Sequence, residues 1–259
     1  MRPSYEIFNF SLASYGTLIF IGLLLGLLTS LLLTKKYQPQ LKDDVFYSFL
    51  FGFIGVALGG KLLYIITILP RLIKAVQNNL PVKIIIPLLV SGGFVFYGSL
   101  IGACLAIYIY SKAFSVPAER LLYFLVPAIP LIHSIGRLGC LAAGCCYGIP
   151  SPGFGYFLNQ SLIAPQGIKL FPTQLLESIY CFIIFIIILF FFKKIKNGYK
   201  LLAIYILLYT PFRFIIEFFR GDLARGKIGL LSTSQIISLI IIFLVLILFI
   251  NNLHKNKNR

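Results

Sequence analysis

Long apolar stretches alternate with short polar or basic stretches along almost the whole chain. A helix needs about 20 apolar residues to cross a membrane core about 30 Å thick, and seven stretches approach or exceed that length. They are predicted to be transmembrane helices at about residues 15–34, 45–69, 84–110, 121–135, 174–192, 201–219 and 234–253. The pattern therefore predicts an all-α membrane protein with seven transmembrane helices, formed as a single integral-membrane domain over residues 1–259.

Two features break the apolar pattern in the middle of the chain. The fourth stretch is short and contains Pro127 and Pro130. Proline lacks the backbone donor that a helix needs, so a kinked or tilted helix is predicted there. Residues 149–173 are rich in proline and glycine and predict a small outer loop region after the fourth helix. This loop either connects two helices or also controls the access of a substrate.

The charge of the chain is explained by membrane topology. The sequence has 23 lysines and arginines against 7 acidic residues, a net charge of +16, yet 59% of it is hydrophobic and 12% charged. This composition argues against a disordered chain and against a water-soluble globule. Basic residues concentrate in short segments, such as those around Lys36 and Lys194, which the positive-inside rule places in the cytoplasm. We therefore expect an outside amino terminus, a cytoplasmic carboxyl terminus and no nucleic-acid partner.

Three charged residues are predicted on one face at the outer end of the sixth helix. The segment Arg213-Phe-Ile-Ile-Glu217-Phe-Phe-Arg220 spaces them so that they stack above one another in a continuous helix. Charges at membrane depth are costly and need partners or a function. One interpretation is a buried ion pair, with Arg220 reaching to the membrane surface. The other, which we favour, is a polar cavity in which Glu217 holds two guanidinium groups that bind a phosphate.

A second polar region, rich in small residues, lies at the outer end of the fourth helix. It runs from His133 through Arg137 to Gly148, and its small residues let backbone approach backbone or a ligand closely. Arg137 adds a third positive charge to the same outer zone. A surface arginine at a tight helix junction is the alternative interpretation.

Three of the five cysteines, Cys140, Cys145 and Cys146, cluster in this region. Thiols are soft metal ligands, but the spacing matches no recognised zinc pattern, and adjacent cysteines do not easily point at one tetrahedral ion. An odd number of cysteines in a long chain does not indicate a disulfide framework. The cluster is interpreted as buried thiols in a glycine-rich junction, with a disulfide or a metal site as alternatives. No metal and no cofactor is predicted.

The order and spacing of the motifs resemble the prolipoprotein diacylglyceryl transferase family of bacterial inner membranes over nearly the whole chain. The matching segments are Ser14-Tyr15-Gly16, Gly55-Val-Ala-Leu-Gly59-Gly60-Lys61, Gly93-Phe-Val-Phe-Tyr97-Gly98-Ser99-Leu-Ile-Gly102, Gly136-Arg137-Leu-Gly139, Pro172-Thr-Gln174-Leu-Leu-Glu177 and Arg213-Phe-Ile-Ile-Glu217-Phe-Phe-Arg220. The resemblance implies a seven-helix, multi-pass protein of the bacterial cytoplasmic (inner) membrane with its amino terminus outside, in agreement with the charge distribution.

Members of that family move the diacylglyceryl group of phosphatidylglycerol onto a lipobox cysteine thiol of a lipoprotein precursor and release glycerol 1-phosphate. The resemblance implies a set of catalytic residues: Tyr15, Arg213, Glu217 and Arg220. Tyr97, at the position of the family's histidine, is added to this set as the candidate proton acceptor. The resemblance also implies a set of substrate-binding residues: Arg137, Gly98, Gly139 and Gly148. The implied partners are phosphatidylglycerol, the signal peptide of a lipoprotein precursor and membrane lipids.

The sequence departs from the family pattern within the site itself. Tyr97, Cys140, Cys145 and Phe171 replace the family's histidine, asparagine, glutamate and second histidine, respectively. Because a phenol is a poorer base than an imidazole at neutral pH, we expect slow transfer. Two alternatives remain open at this point: a non-catalytic phospholipid binder on the same fold, and a cysteine-based redox or metal-handling membrane protein.

Overall fold

The computed structural model of the protein describes residues 4–7, 10–78, 81, 83, 86, 89, 96–159, 161, 163–222, 227–228, 231–232 and 234–244. Most of these residues are helical. The chain divides into two compact units, one comprising Met1–Leu32 with Leu122–Arg259 and the other Leu33–Leu121.

The helices of the described residues follow the apolar stretches of the sequence. They are α1 (Ser14–Tyr37), α2 (Lys42–Gln77), α3 (Phe96–Ala113), α4 (Ala118–Leu125), α5 (Ala128–Ala143), α6 (Thr173–Phe192), α7 (Gly198–Ile216) and α8 (Ser234–Leu244), with single 3-10 turns at Pro39–Leu41 and Glu217–Phe219.

Short antiparallel hairpins accompany the helices, so the fold is mostly rather than wholly α-helical. They pair β1 (Ser4–Ile7) with β2 (Phe10–Ala13), β3 (Tyr156–Phe157) with β4 (Lys169–Leu170), and β5 (Lys227–Ile228) with β6 (Leu231–Ser232).

Four helices in the described part are long and apolar enough to cross a membrane: Ser14–Tyr37, Pro39–Pro70, Thr173–Phe192 and Gly198–Phe219. A bent pair of shorter helices, α4 with α5, raises the count to five if it is one span. The predicted third and seventh spans correspond to the shorter apolar helices α3 and α8. Most of residues 84–95 and all of 245–253 lie outside the described residues. A multi-pass membrane protein is confirmed, whereas the number seven is not.

The break in the fourth predicted span is confirmed. The axes of α4 and α5 differ by 43°, and Pro127 stands immediately before the first residue of α5. Because proline cannot continue the hydrogen-bond ladder of the preceding helix, the chain bends at this point.

Close helix packing defines the unit of residues 33–121. A side-chain carbon added to Gly55 would overlap the backbone of Gly102, and one added to Gly59 would overlap the carbonyl oxygen of Gly98. Glycines on both helices therefore let the α2 and α3 backbones touch.

In the other unit, α5 and α6 are joined by a reciprocal pair of hydrogen bonds. The Ser134 hydroxyl donates to the Ser178 carbonyl at 2.8 Å, and the Ser178 hydroxyl donates to the Ser134 carbonyl at 2.9 Å. Both residues are buried. Two hydroxyls that each satisfy a carbonyl of the other helix fix the register of the two helices.

The segment between α5 and α6 has a small hydrophobic core of its own. Leu158, Ala164 and Leu170 pack against Leu141 of α5, and β3 pairs with β4 so that Tyr156 lies opposite Leu170. The described part of the segment predicted as a loop, residues 149–173, thus contains a short hairpin with its own packing, and α6 begins at its end. Its position on the outer side of the membrane stays a prediction.

Candidate functional site: a buried arginine cluster beside a three-thiol turn

The centre of the site is an ion pair between α5 and α6. Arg137 lies about one turn after Ser134, and Glu177 lies next to Ser178, so the serine pair brings the two charges together. Arg137 Nη2 is 2.8 Å from Glu177 Oε1, and only 2% of the Glu177 side chain is exposed. The Tyr209 hydroxyl of α7 donates to the same carboxylate oxygen at 2.8 Å. Three helices therefore meet at one buried carboxylate.

His133 belongs to the same cluster of polar groups. Its Nδ1 lies 3.3 Å from the Tyr205 hydroxyl and its Nε2 lies 3.5 Å from the Tyr209 hydroxyl. Nε2 is also 3.7 Å from Glu177 Oε1. Both ring nitrogens thus face groups of the arginine site and not the cysteines.

Arg213 and Glu217 form the ion pair that their spacing predicts. Arg213 Nη2 lies 2.7 Å from Glu217 Oε2 and donates to the Ser234 hydroxyl of α8 at 3.2 Å. Glu217 is buried and the Arg213 side chain is 11% exposed.

Arg220 departs from the predicted helical face. α7 ends at Ile216, a 3-10 turn follows, and Arg220 has the extended dihedral angles φ −87° and ψ 134°. Its Nε and Nη2 donate to the two carboxylate oxygens of Asp222 at 3.0 and 2.9 Å. The expectation that Glu217 would hold both arginines is therefore wrong, because the helix that would have stacked them ends first.

The three arginines share one electrostatic environment. Arg213 attracts the Glu177 carboxylate that Arg137 holds, and Arg137 repels Arg220. Each arginine has its own carboxylate, so the set is formally neutral. Buried donors nevertheless remain unused among the described residues: Arg137 Nε, Arg213 Nη1 and Arg220 Nη1. Unpaired buried donors cost free energy unless a ligand accepts them.

Gly148 positions the backbone of Arg220. The two residues form an antiparallel bridge, and the Gly221 N–H donates to the Tyr147 carbonyl at 2.9 Å. A side-chain carbon on Gly148 would overlap the Phe171 carbonyl oxygen. Glycine at this position therefore allows the close approach that holds Arg220 beside the end of α5.

The turn after α5 brings three thiols together. α5 ends at Gly144 in the left-handed conformation with φ 73°, and Cys146 also has a positive φ of 59°. The sulfur atoms of Cys140, Cys145 and Cys146 all lie within 4.8 Å of one another. The positive φ of Cys146 thus accompanies an arrangement in which the sulfur atoms of the adjacent Cys145 and Cys146 lie close together.

The surroundings of Cys146 change the pKa of its thiol. Hydrogen bonding with Cys140 and Cys145 lowers the pKa of the Cys146 thiol, and the guanidinium groups of Arg220 and Arg137 act in the same direction. Burial opposes these effects. Cys146 is therefore the thiol of the cluster that most readily loses its proton.

Tyr15 and Gly139 lie beside the same turn. A side-chain carbon on Gly139 would come within 3.3 Å of Tyr15 Cδ2 and of its carbonyl oxygen. Tyr15 is 43% exposed and interacts electrostatically with Arg137 and with the three cysteines. The structure thus brings Tyr15, Gly139 and the thiol turn together with the arginine cluster.

The sequence profile of the prolipoprotein diacylglyceryl transferase family matches residues 4–251 of the chain. This match spans nearly the whole sequence, including every described residue of the arginine cluster and the thiol turn. The chain belongs to this family.

Three relatives of this transferase family match over almost their entire length. The chain is 35% identical to the phosphatidylglycerol–prolipoprotein diacylglyceryl transferase of Clostridium tetani over 259 residues, covering 96% of this chain and 97% of the relative. It is 36% identical to the transferase numbered 2 of Clostridium perfringens, with coverages of 98% and 95%. The transferase of Clostridioides difficile is 29% identical, with coverages of 99% and 97%. These findings do not favour a redox or metal-handling protein as the function.

Two site residues predicted from the family lie in the other unit. Gly98 packs against the Gly59 backbone, which gives it a structural role in the contact between α2 and α3. Tyr97 belongs to α3, but its side chain lies outside the described part of the chain. Their roles in the transferase reaction stay predictions.

Several polar residues of this family member escaped the sequence analysis. Tyr209 precedes Arg213 by four residues, so the same helical spacing that selected Glu217 points to it. Asp222 follows Arg220 by two residues, and its only signal in the sequence is that an acidic residue stands next to an apolar stretch. Glu177 appears within a family motif, but nothing in the sequence indicates that it pairs with Arg137.

Proposed function

We propose that this family member transfers the diacylglyceryl group of phosphatidylglycerol to the thiol of a lipobox cysteine in a lipoprotein precursor. The names of the curated relatives state this substrate pair for those proteins. The observation that carries the proposal is the set of three buried guanidinium groups, each with a donor that has no acceptor among the described residues. A phosphodiester supplies the missing acceptor oxygens.

The arginines bind the phosphodiester by directed donors rather than by excess charge. Their carboxylate partners fix the guanidinium groups in place and leave Arg137 Nε, Arg213 Nη1 and Arg220 Nη1 for the ligand. The leaving phosphate gains a second negative charge during the reaction. Prepositioned donors stabilise that new charge more than the charge of the bound lipid, which lowers the barrier.

The bond changes are simple. The thiolate sulfur of the acceptor attacks the glycerol carbon that carries the phosphate oxygen, and the carbon–oxygen bond breaks as the carbon–sulfur bond forms. The electron pair stays on the oxygen of glycerol 1-phosphate, and the thiol proton goes to a base or to water. Arg137 binds the phosphate, Arg213 and Arg220 stabilise the leaving group, and Glu217 orients Arg213.

The remaining predicted residues have supporting roles in this proposal. Gly139 and Gly148 allow the close backbone approaches that seat Tyr15 and Arg220. Tyr15, exposed beside the thiol turn, contacts the bound substrates. Tyr97, which must be a phenolate to accept a proton, is the candidate base for the acceptor thiol, and Gly98 lies beside it in the sequence.

The proposal includes a seven-helix topology in the bacterial cytoplasmic membrane, with the amino terminus outside and the carboxyl terminus inside. The distribution of lysines and arginines supports this orientation. It puts the end of α5 and the segment of residues 149–173 at the outer leaflet, where a secreted lipoprotein precursor exposes its lipobox.

Incubation of the purified chain with phosphatidylglycerol labelled in its acyl chains and a lipobox peptide tests the function. We expect a labelled peptide thioether and an equal amount of glycerol 1-phosphate. A peptide with serine in place of the lipobox cysteine is the matched control and stays unlabelled.

Expression in cells depleted of their own transferase provides a second measurement. Rescue of growth is the expected result. If the folded protein retains phosphatidylglycerol during purification but neither forms the thioether nor rescues the cells, it is a lipid binder and the transferase proposal fails.

A further inference from the structure

The three-thiol turn has the geometry of a metal site. A tetrahedral zinc ion with Zn–S bonds of about 2.3 Å holds its sulfur ligands about 3.8 Å apart. The sulfur atoms of Cys140, Cys145 and Cys146 already lie within 4.8 Å of one another. Zinc binding requires these sulfur atoms to approach one another by at most about 1 Å.

The backbone of the turn is held in place by its neighbours. The Cys145 N–H donates to the Cys140 carbonyl at 3.1 Å. From the start of α6, the Gln174 amide donates to the Cys145 carbonyl at 2.8 Å, and the Thr173 hydroxyl donates to the Cys146 carbonyl at 2.9 Å. Such support from surrounding hydrogen bonds is what a preorganised metal site requires.

The charges around the turn favour a metal with three thiolates. Three thiolates and one divalent cation carry a net charge of −1, and positive charge of the opposite sign acts on two of the cysteines, from Arg137 on Cys140 and from Arg137 and Arg220 on Cys146. A disulfide between the adjacent cysteines Cys145 and Cys146 is less suited to the site. The α-carbons of adjacent Cys145 and Cys146 are about 3.8 Å apart, shorter than the range that disulfides span.

A fourth protein ligand is absent from the described surroundings of the turn. His133, the nearest histidine in the sequence, directs both ring nitrogens toward Tyr205 and Tyr209. Cys140 is buried, whereas Cys145 and Cys146 are partly exposed, so the open side of the cluster is the side that another molecule reaches. Three protein ligands with an open fourth position are the pattern of catalytic rather than structural zinc.

We propose that Cys140, Cys145 and Cys146 bind one Zn²⁺ ion whose fourth position takes the thiol of the acceptor cysteine. The role of the acceptor rests on the transferase function proposed above, whereas the binding of zinc does not.

Coordination to zinc supplies the activation that the missing family histidine would otherwise provide. A thiol bound to the metal releases its proton to water and stays as a thiolate. Its sulfur then attacks the glycerol carbon, the carbon–oxygen bond to phosphate breaks, and the electron pair leaves with glycerol 1-phosphate. The thioether product is a weaker zinc ligand than the thiolate and is released. No oxidation or reduction occurs.

Metal analysis of the purified full-length chain tests the zinc site directly. We expect one zinc ion per chain, and loss of that zinc in each of the variants Cys140→Ser, Cys145→Ser and Cys146→Ser. Cys104→Ser, which changes an exposed cysteine of the other unit, keeps its zinc. Zinc-free protein prepared with a chelator must also rebind Zn²⁺ in competition with a chromophoric chelator, which makes the test independent of how well the variants fold. Failure to rebind, or a disulfide among the three cysteines, overturns the proposal.

The open position is tested with cobalt, whose visible absorption reports on its ligands. We expect the spectrum of the Co²⁺-loaded protein to change when a lipobox peptide is added and to stay constant with the serine peptide. An unchanged spectrum with both peptides overturns the acceptor role. Transfer activity in zinc-free protein rejects the zinc step and leaves the transferase function intact. Zinc binding without any transfer rejects the transferase function and leaves the metal site intact.

Discussion

At the scale of single residues, the arginines of this protein combine two tasks that pull in different directions. A buried guanidinium needs a carboxylate to offset the loss of water, yet a phosphate ligand needs free donors. Arg137 satisfies both, because Nη2 contacts Glu177 while Nε has no acceptor among the described residues. The fork shape of arginine makes this division possible, and a point charge cannot reproduce it.

Replacement of Arg137 by lysine separates charge from shape. We expect Arg137→Lys to fold, because the ammonium group still neutralises Glu177, and to lose transfer activity by about 10- to 100-fold, because the second directed donor is gone. Initial rates with labelled phosphatidylglycerol measure the loss. Arg120→Lys, at an exposed position, is the matched control and retains full activity. Equal rates for the two variants would contradict the assignment of Arg137.

The residue scale also shows how far sequence reasoning reaches. The spacing of Arg213 and Glu217 predicted their contact correctly, because an ion pair four residues apart depends only on local helix geometry. The same spacing did not predict the position of Arg220 correctly. The point at which α7 ends depends on backbone pairing with Gly148, a residue more than 70 positions earlier. The pairing of Glu177 with Arg137 is long-range in the same way, and no local pattern encodes it.

At the scale of elements, glycines determine which helices touch. Gly59 faces the backbone of Gly98, whereas a carbon added to Gly52, on the same helix, would make only an ordinary van der Waals contact of 3.7 Å with the Ile107 side chain. The sequence shows both as members of one glycine series and does not distinguish them. The structure distinguishes them, and it predicts opposite effects on stability for a glycine-to-alanine substitution at the two positions.

Alanine at these two positions should shift stability in opposite directions. We expect Gly59→Ala to destabilise the protein by about 1–3 kcal/mol through overpacking. Gly52→Ala is expected to be neutral or to stabilise by up to about 1 kcal/mol, because alanine is the better helix former. Thermal unfolding of the purified variants in detergent measures both. If Gly59→Ala were as stable as Gly52→Ala, the close contact of α2 and α3 would be wrong.

A second pair of glycines tests the connection between the loop segment and Arg220. In Gly148→Ala, the new methyl group overlaps the Phe171 carbonyl and displaces the backbone that bridges to Arg220. We expect this variant to remain folded and to bind phosphatidylglycerol at least about tenfold more weakly. Gly153→Ala, with no atom within 4 Å of the added carbon, should bind normally. Lipid retention after purification compares the two, and equal retention would contradict the role of Gly148.

Element boundaries follow from the sequence where the cause is local. The bend before α5 was predicted from Pro127, and the start of α6 from the end of the proline- and glycine-rich stretch. The small core of Leu141, Leu158, Ala164 and Leu170 was not predicted, since short strands of two residues leave no periodic pattern to detect.

At the scale of the whole molecule, the proposed orientation rests on the positions of lysines and arginines. Alkaline phosphatase folds only outside the cytoplasm, so fusions report the side of the membrane. We expect a fusion after Gln166 to be active and a fusion after Lys196 to be inactive, because the first follows the outer segment and the second a basic cytoplasmic turn. The reverse result would invert the topology and place the arginine cluster on the side away from secreted precursors.

The first two turns of α6 carry groups that belong to both halves of the proposed reaction. Glu177 pairs with Arg137, which binds the lipid phosphate in the proposed reaction. Thr173 and Gln174 donate hydrogen bonds to the carbonyls of the cysteine turn. With 20 residues, α6 is about 30 Å long, close to the thickness of a bilayer core. A thinner or thicker bilayer tilts such a helix. The tilt would move the lipid-binding groups and the cysteine turn together. The enzyme's rate should therefore depend on the acyl-chain length of the surrounding lipids through this single helix.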